Sequence, residues 1–145
     1  MKNENNIAFA LRQIQTEQFA TFKENICQPD SVQLDVGVAF GVADNHMVKC
    51  TTQFNFHCDK KVFIKLETAC VFQIHEDSWH LLENKEKKAF IIPEFFARHL
   101  AALSLGTARG ILHEKTAGTE FNKYLLPTIN LNEIIKGDKI IEMKN

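Results

Sequence analysis

Three consecutive stretches of this chain alternate apolar and polar residues with a period of two, and that pattern constrains the fold more than any other feature. Val32, Leu34, Val36, Val38, Phe40 and Val42 alternate with Gln33, Asp35, Gly37, Ala39 and Gly41. After Asp44 and Asn45, one face continues through Val48, Cys50, Thr52, Phe54, Phe56 and Cys58, with Lys49, Gln53, Asn55 and His57 opposite. After Asp59 and Lys60 the third stripe runs through Val62, Ile64, Leu66, Thr68, Cys70, Phe72 and Ile74. Neighbouring side chains on a strand point to opposite faces, so these are antiparallel strands with one face buried. Such short turns between consecutive strands make a meander. The other face of the third strand carries Phe63, Ala69 and Val71 among Lys65, Glu67, Gln73 and His75. It reads as ordinary exposed scatter, with a partly covered or interacting surface as the alternative.

Residues 7–22 begin with alternation at Ile7, Phe9 and Leu11, shift phase near Ile14 and continue to Phe19 and Phe22. A phase shift within a strand signals a bulge or bend. Residues 27–31 read as a loop. Residues 76–92 flank a charged middle with Trp79, Leu81, Leu82, Phe90, Ile91 and Ile92. Pro93 and Glu94 then suit a helix first turn, because proline needs no N–H there and a carboxylate favours the positive helix end. Phe96, Leu100, Leu103, Thr107 and Ile111 recur at helical spacing to about Lys115. Between them lie Ala97, Ala101, Ala102, Ser104, Gly106, Ala108 and Gly110. A helix with two narrow sides can be approached closely by a sheet and by another helix at once. Nothing left in the chain buries the second side, so association is expected. Gly118 marks a stop, residues 124–130 are extended, and a short second helix follows, with residues 136–145 lengthening it. The expected fold class is α+β: a four-stranded antiparallel sheet (meander), a long helix and a short C-terminal helix, in one domain over residues 1–145.

Little in the chain suggests catalysis. No phosphate loop is present, since residues 106–110 lie inside the helical pattern and lack the following lysine. His46, His57, His75, His80, His99 and His113 form no metal-ligand spacing. His57 and Cys58 are adjacent on a strand and face opposite ways. The expectation is therefore no enzyme activity, no cofactor and no metal. Arg98 and Arg109 sit on an otherwise small or apolar helix, where their forked guanidinium groups suit loop carbonyls or carboxylates. A formal net charge of -1 gives no nucleic-acid surface. Residues 1–6 are polar and no apolar run approaches the ~20 residues that span a bilayer. With no export signal, a cytoplasmic location is expected, and Cys27, Cys50, Cys58 and Cys70 are read as four reduced thiols.

In order and spacing, several pieces resemble the SecB-type export chaperones. They are Phe96-Ala97-Arg98 after Pro93, Arg109-Gly110, Leu126-Pro127-Thr128-Ile129-Asn130-Leu131, and the first-strand run Ala8-Phe9-Ala10-Leu11-Arg12-Gln13-Ile14. The chain departs from the family in a longer spacing from Arg98 to Arg109 and an apparent insertion at residues 114–121. The resemblance implies a dimer of dimers with the long helices between two large sheets. It also implies capture of unfolded polypeptide clients in long apolar grooves, for holding before export. Groove candidates are Phe9, Leu11 and Ile14 on the first strand, Trp79, Leu82 and Phe90 in residues 76–92, and Leu125, Leu126, Ile129, Leu131 and Ile134 near the last helix. Each has a core reading beside the groove reading. In the family, residues 76–92 would be a crossover loop walling the groove; otherwise they are a short core-covering helix with a solvated turn. The resemblance allows a SecA-type motor as partner, but the family's acidity, which serves that docking, is missing here. SecB-like proteins also include chaperones dedicated to one client, such as an antitoxin, and that branch is the alternative. A structural or small-ligand-binding oligomeric module is the rival from another class.

Overall fold

A computed structural model describes residues 6–142. The polar residues 1–5 and Met143, assigned above to a helical tail, lie outside the described residues. The three alternating runs form β2 (Gln33–Ala43), β3 (Met47–Cys58) and β4 (Lys61–Ile74), and β1 (Phe9–Thr21) pairs with β4. The antiparallel sheet thus has the order β1-β4-β3-β2, with β1 and β2 at its edges. Asp59 and Lys60 both take positive φ, 49° and 68°, the twist that a two-residue hairpin needs.

The expected phase shift in β1 is a pair of register shifts, between Leu11 and Gln13 and between Thr16 and Gln18. They bring Phe9, Leu11, Ile14 and Phe19 opposite Ile74, Phe72, Cys70 and Leu66, all on one face. A third shift, where Phe56 pairs with Ile64 but His57 with Val62, corrects the reading of Phe63. Phe63 is the extra residue; it is fully buried and packs edge-on against Tyr124, ring centroids 4.9 Å apart.

Residues 76–92 fold as a short helix, α1 (Glu76–Leu82), and a hairpin of β5 (Glu83–Asn84) and β6 (Ala89–Ile92). The long helix α2 (Glu94–Lys115) follows, then a one-turn α3 (Leu131–Ile134). The tail does not lengthen α3. Gly137 turns the chain at φ 91°, and β7 (Lys139–Glu142) joins β6, so a second sheet of order β5-β6-β7 forms. Asp138 accepts from the Glu94 amide at 2.8 Å and Glu94 accepts from the Gly137 amide, which locks this turn to the start of α2.

α2 lies over β3 and β4. Its buried residues are Phe96, Ala97, Leu100, Ala101, Ser104, Leu105, Ala108 and Leu112, so Phe96 and Leu100 face inward as expected and the stripe runs one residue later from Ser104 on. Small residues therefore face the sheet and let the helix approach closely. Leu103, expected inside, is 41% exposed. It lies beside Ala102, Gly106 and Gly110 on the outward side, where a Cβ built on either glycine meets nothing within 4 Å.

The core has two parts. One gathers Trp79, Leu82, Phe90, Ile92, Phe96, Leu100 and Ile135 over Val48, Phe72 and Ile74. The other gathers Leu105, Leu112, Phe121, Tyr124 and Leu126 over Phe54, Phe56, Phe63 and Leu66. A Thr52–Thr68 hydroxyl bond of 2.8 Å lies buried in the sheet between them. The second part also corrects the cysteine reading: Cys27 and Cys58 form a disulfide, with Cα atoms 6.1 Å apart and a sequence separation of 31. The loop after β1 brings Cys27 to the end of β3, within the reach such a bond requires. Cys50 and Cys70 are free and buried.

Candidate peptide-binding groove

Beyond α2 the chain returns along the sheet as an extended segment. Pro127 keeps the residue before it out of the helical region, so side chains alternate. Tyr124 and Leu126 turn inward at 8% and 3% exposure, while Leu125 between them is 58% exposed. Arg109 holds the segment by its backbone: Nε donates to the Leu126 carbonyl at 3.0 Å and Nη2 to the Pro127 carbonyl at 3.0 Å. Arg98 does the same further on, giving both Nε and Nη2 to the Ile135 carbonyl while pairing with Glu94 at 3.1 Å. Both arginines thus bind loop carbonyls, as their forked guanidinium groups suggested, and Arg98 binds a carboxylate as well.

Facing that segment, the loop from β1 to β2 and the start of β2 supply Pro29, Val32 and Leu34, and Phe56 lies beside them. With Lys123, Tyr124, Leu125 and Pro127 they line an open groove of about 400 Å³. The Tyr124 hydroxyl is buried and has no hydrogen-bond partner among the described residues. A second opening of about 560 Å³ lies at the far end of β2, between Gly41–His46, Trp79 and Ile141. Between the two, Val36, Val38 and Phe40 are only half-buried. The helix side of this edge strand is thus an apolar run that the chain leaves partly open.

The sequence candidates separate into three groups. Trp79, Leu82, Phe90 and Leu126 are buried core residues, with the edge of Trp79 reaching the second opening. Phe9, Ile129, Leu131 and Ile134 are half-buried against the core; Phe9 packs edge-on against Phe96 at 5.3 Å. Leu11, Ile14 and Leu125 are exposed, at 44%, 50% and 58%. Leu125 lies at the β2 groove, but Leu11 and Ile14 lie on β1 at the opposite edge. Pro29, Val32, Leu34, Phe56 and Tyr124 went unread as groove residues because the edge position of β2 depends on strand order. The apolar half of the β2 alternation was the available signal.

The site has little charge. Lys123 stands 5.4 Å over the Tyr124 ring, and Lys23 pairs with Glu120 at 3.3 Å. On the outer sheet face Lys49 pairs with Glu17 at 2.9 Å and Gln53 bonds Glu67 at 2.8 Å. His57 is 3.0 Å from Asp35 there, while Cys58 points to the core. Burial pushes the Cys50 thiol up to about 11, against the pull of a hydrogen bond with Ser104 and helped by Cys70, so it stays protonated at neutral pH. Among the described residues no group of three His, Cys, Asp or Glu is placed to hold a metal, and no helix is long and apolar enough to cross a membrane.

No protein-family profile matches the sequence, and no curated protein does. In fold, the chain is similar to the SecB-like chaperone Rv1957 of Mycobacterium tuberculosis, solved in complex with a ChAD peptide from the Rv1956 HigA1 antitoxin. The match covers 83% of this chain and 90% of that one, with TM-score 0.52 and 12% identity. The fold is SecB-like.

Proposed function

We propose that this chain is a holding chaperone that binds an extended segment of a client polypeptide along β2, against Tyr124–Pro127. The supporting observation is the open apolar groove on an edge strand: Pro29, Val32, Leu34, Phe56, Tyr124, Leu125 and Pro127 at one end, with half-buried Val36, Val38 and Phe40 continuing it. An edge strand offers backbone donors and acceptors to any extended chain, and apolar side chains add ~25 cal/mol per Å² buried, neither reading a defined sequence.

The working form in this proposal is a homo-oligomer, a dimer of dimers. Leu11 and Ile14 on the β1 edge, and Leu103 with Gly106 and Gly110 on α2, are apolar or small surfaces that this chain does not cover. A client dedicated to this chaperone is the favoured cargo, because the near-neutral charge offers no acidic dock for a SecA-type motor and the fold neighbour was solved with an antitoxin peptide. Size-exclusion chromatography with light scattering, with and without reduced, carboxymethylated lactalbumin, tests the proposal. A tetramer that takes up this unfolded chain but not native lactalbumin is expected of a general holder. A tetramer that ignores it restricts the reading to one client or to a structural module, and a stable monomer removes the interface reading.

A further inference from the structure

We propose that Cys27–Cys58 is a thiol–disulfide modification site whose redox state sets the order of the loop walling the groove. The loop joins β1 to β2, which are not neighbours; with strands ~4.8 Å apart it must cross the ends of β4 and β3 over ~14 Å. Its first half is tied by hydrogen bonds, Phe22 N–H to the Phe63 carbonyl at 2.8 Å and Asn25 Nδ2 to the Val62 carbonyl at 2.9 Å. Beyond Asn25 the loop's own bonds are local, from Ser31 to Gln28 and from Val32 to Pro29. The disulfide is the covalent anchor of this second half, and it lies immediately before Pro29 and Val32 in the groove lining.

Access fits the chemistry. Cys27 is half-buried and Cys58 is 3% exposed, so an attacking thiolate meets Cys27 first. A dithiol reductant attacks the Cys27 sulfur, forming a mixed disulfide and expelling the Cys58 thiolate, which takes up a proton. The second thiol of the reductant then displaces Cys27 and closes the reductant's own disulfide. Two electrons and two protons pass to the cystine, and a dithiol becomes a cyclic disulfide. The buried pair Cys50 and Cys70 takes no part, since α2 covers it.

Reduction frees the second half of the loop, and a client must then pay the entropy of ordering it, which weakens holding on the order of tenfold. This consequence rests on the chaperone reading; the loop order itself does not. The test is alkylation and amide exchange on the whole protein before and after dithiothreitol, with Cys27→Ala alongside. Under denaturing conditions without reductant, two cysteines are expected to alkylate, rising to four after dithiothreitol. Exchange at residues 26–32 is expected to rise at least ~tenfold on reduction, matching Cys27→Ala, which no longer responds. Four alkylated cysteines before reduction, unchanged exchange after it, or a response retained in Cys27→Ala would each overturn the site. Binding of carboxymethylated lactalbumin is read on the same samples. If exchange changes and the client binds in neither state, the redox site stands and the chaperone reading loses support. If the client binds equally in both states, the link from loop to groove is overturned.

Discussion

The two core regions along the helix side of the sheet have similar apolar content and differ in what covers them. An opening of about 560 Å³ lies beside Trp79 and Ile141 at one end, and a groove of about 400 Å³ beside Tyr124 and Leu125 at the other. At one end, residues 76–92 carry Trp79, Leu82 and Phe90 inward, and β7, Ile135 and the start of α2 close over them. At the other end, the extended segment alternates Tyr124 in, Leu125 out and Leu126 in, and the β1–β2 loop, Leu34 and Phe56 face it across the groove. Hydrophobicity alone does not decide which region is available for binding. What decides it is whether a third layer of backbone is left to cover the side chains. The hairpin's unpaired edge recruited the C-terminal tail as that cover. The Tyr124–Pro127 segment is held by the buried side chains of Tyr124 and Leu126 and by Arg109 on its carbonyls, and it keeps Leu125 on the open side.

Breaking the closed region should cost most. Trp79→Ala or Phe90→Ala should destabilise by about 3–5 kcal/mol in urea unfolding, because each leaves a cavity in a packed cluster. A loss below ~1 kcal/mol at both positions would mean that residues 76–92 are not core. The disulfide acts at the open end. Cys27→Ser should lower stability by about 3–4 kcal/mol under oxidising conditions, from the loop entropy of a 31-residue closure, and by little in dithiothreitol. Unfolding curves in both buffers make that comparison.

Two effects of about 2 kcal/mol sharpen it further. Arg109→Ala should remove two charge-assisted hydrogen bonds, with faster amide exchange confined to the 121–130 segment. Cys50, under α2, gives a pH signature. Burial raises its folded pKa from the ordinary 9.0 to about 11, so the unfolded thiol ionises first and binds fewer protons. Its stabilising share is therefore whole below pH 9 and is lost as pH rises through 11, by about 2 kcal/mol at pH 11. Cys50→Ala should flatten that slope of stability against pH. The smallest stability effect belongs to the open wall: Leu125→Ser should change unfolding by less than ~0.5 kcal/mol yet weaken client binding. Equal loss of stability at Leu125 and Trp79 would erase the difference between the two regions.

Much of this was legible from period and punctuation. The strands, the meander, the Pro93 start of the helix, its end near Lys115 and a turn of helix after Asn130 all follow from local spacing. The bulges in β1 showed as a phase shift at Ile14. What escaped depended on who neighbours whom. Phe63 changes face through a bulge shared with β3, which no single-strand pattern records. Cys27 meets Cys58 because the β1–β2 loop crosses two strand ends. The tail reads as helical by its mixed charge, yet the free edge of β6 and the turn at Gly137 make it a strand. On α2, the sheet selects the smaller residues because they permit closer approach, a tertiary preference that spacing alone leaves one residue out of phase from Ser104 on. The groove inherits the same problem: Leu125 was readable, but its partners Pro29, Val32 and Leu34 depend on β2 being an edge.

Amide exchange of the oxidised protein with and without bound carboxymethylated lactalbumin tests the central claim most directly. Protection confined to residues 32–40 and 123–127 is the predicted result. Protection falling on residues 76–92 instead, or a bound client that leaves the β2 edge unchanged, would contradict it.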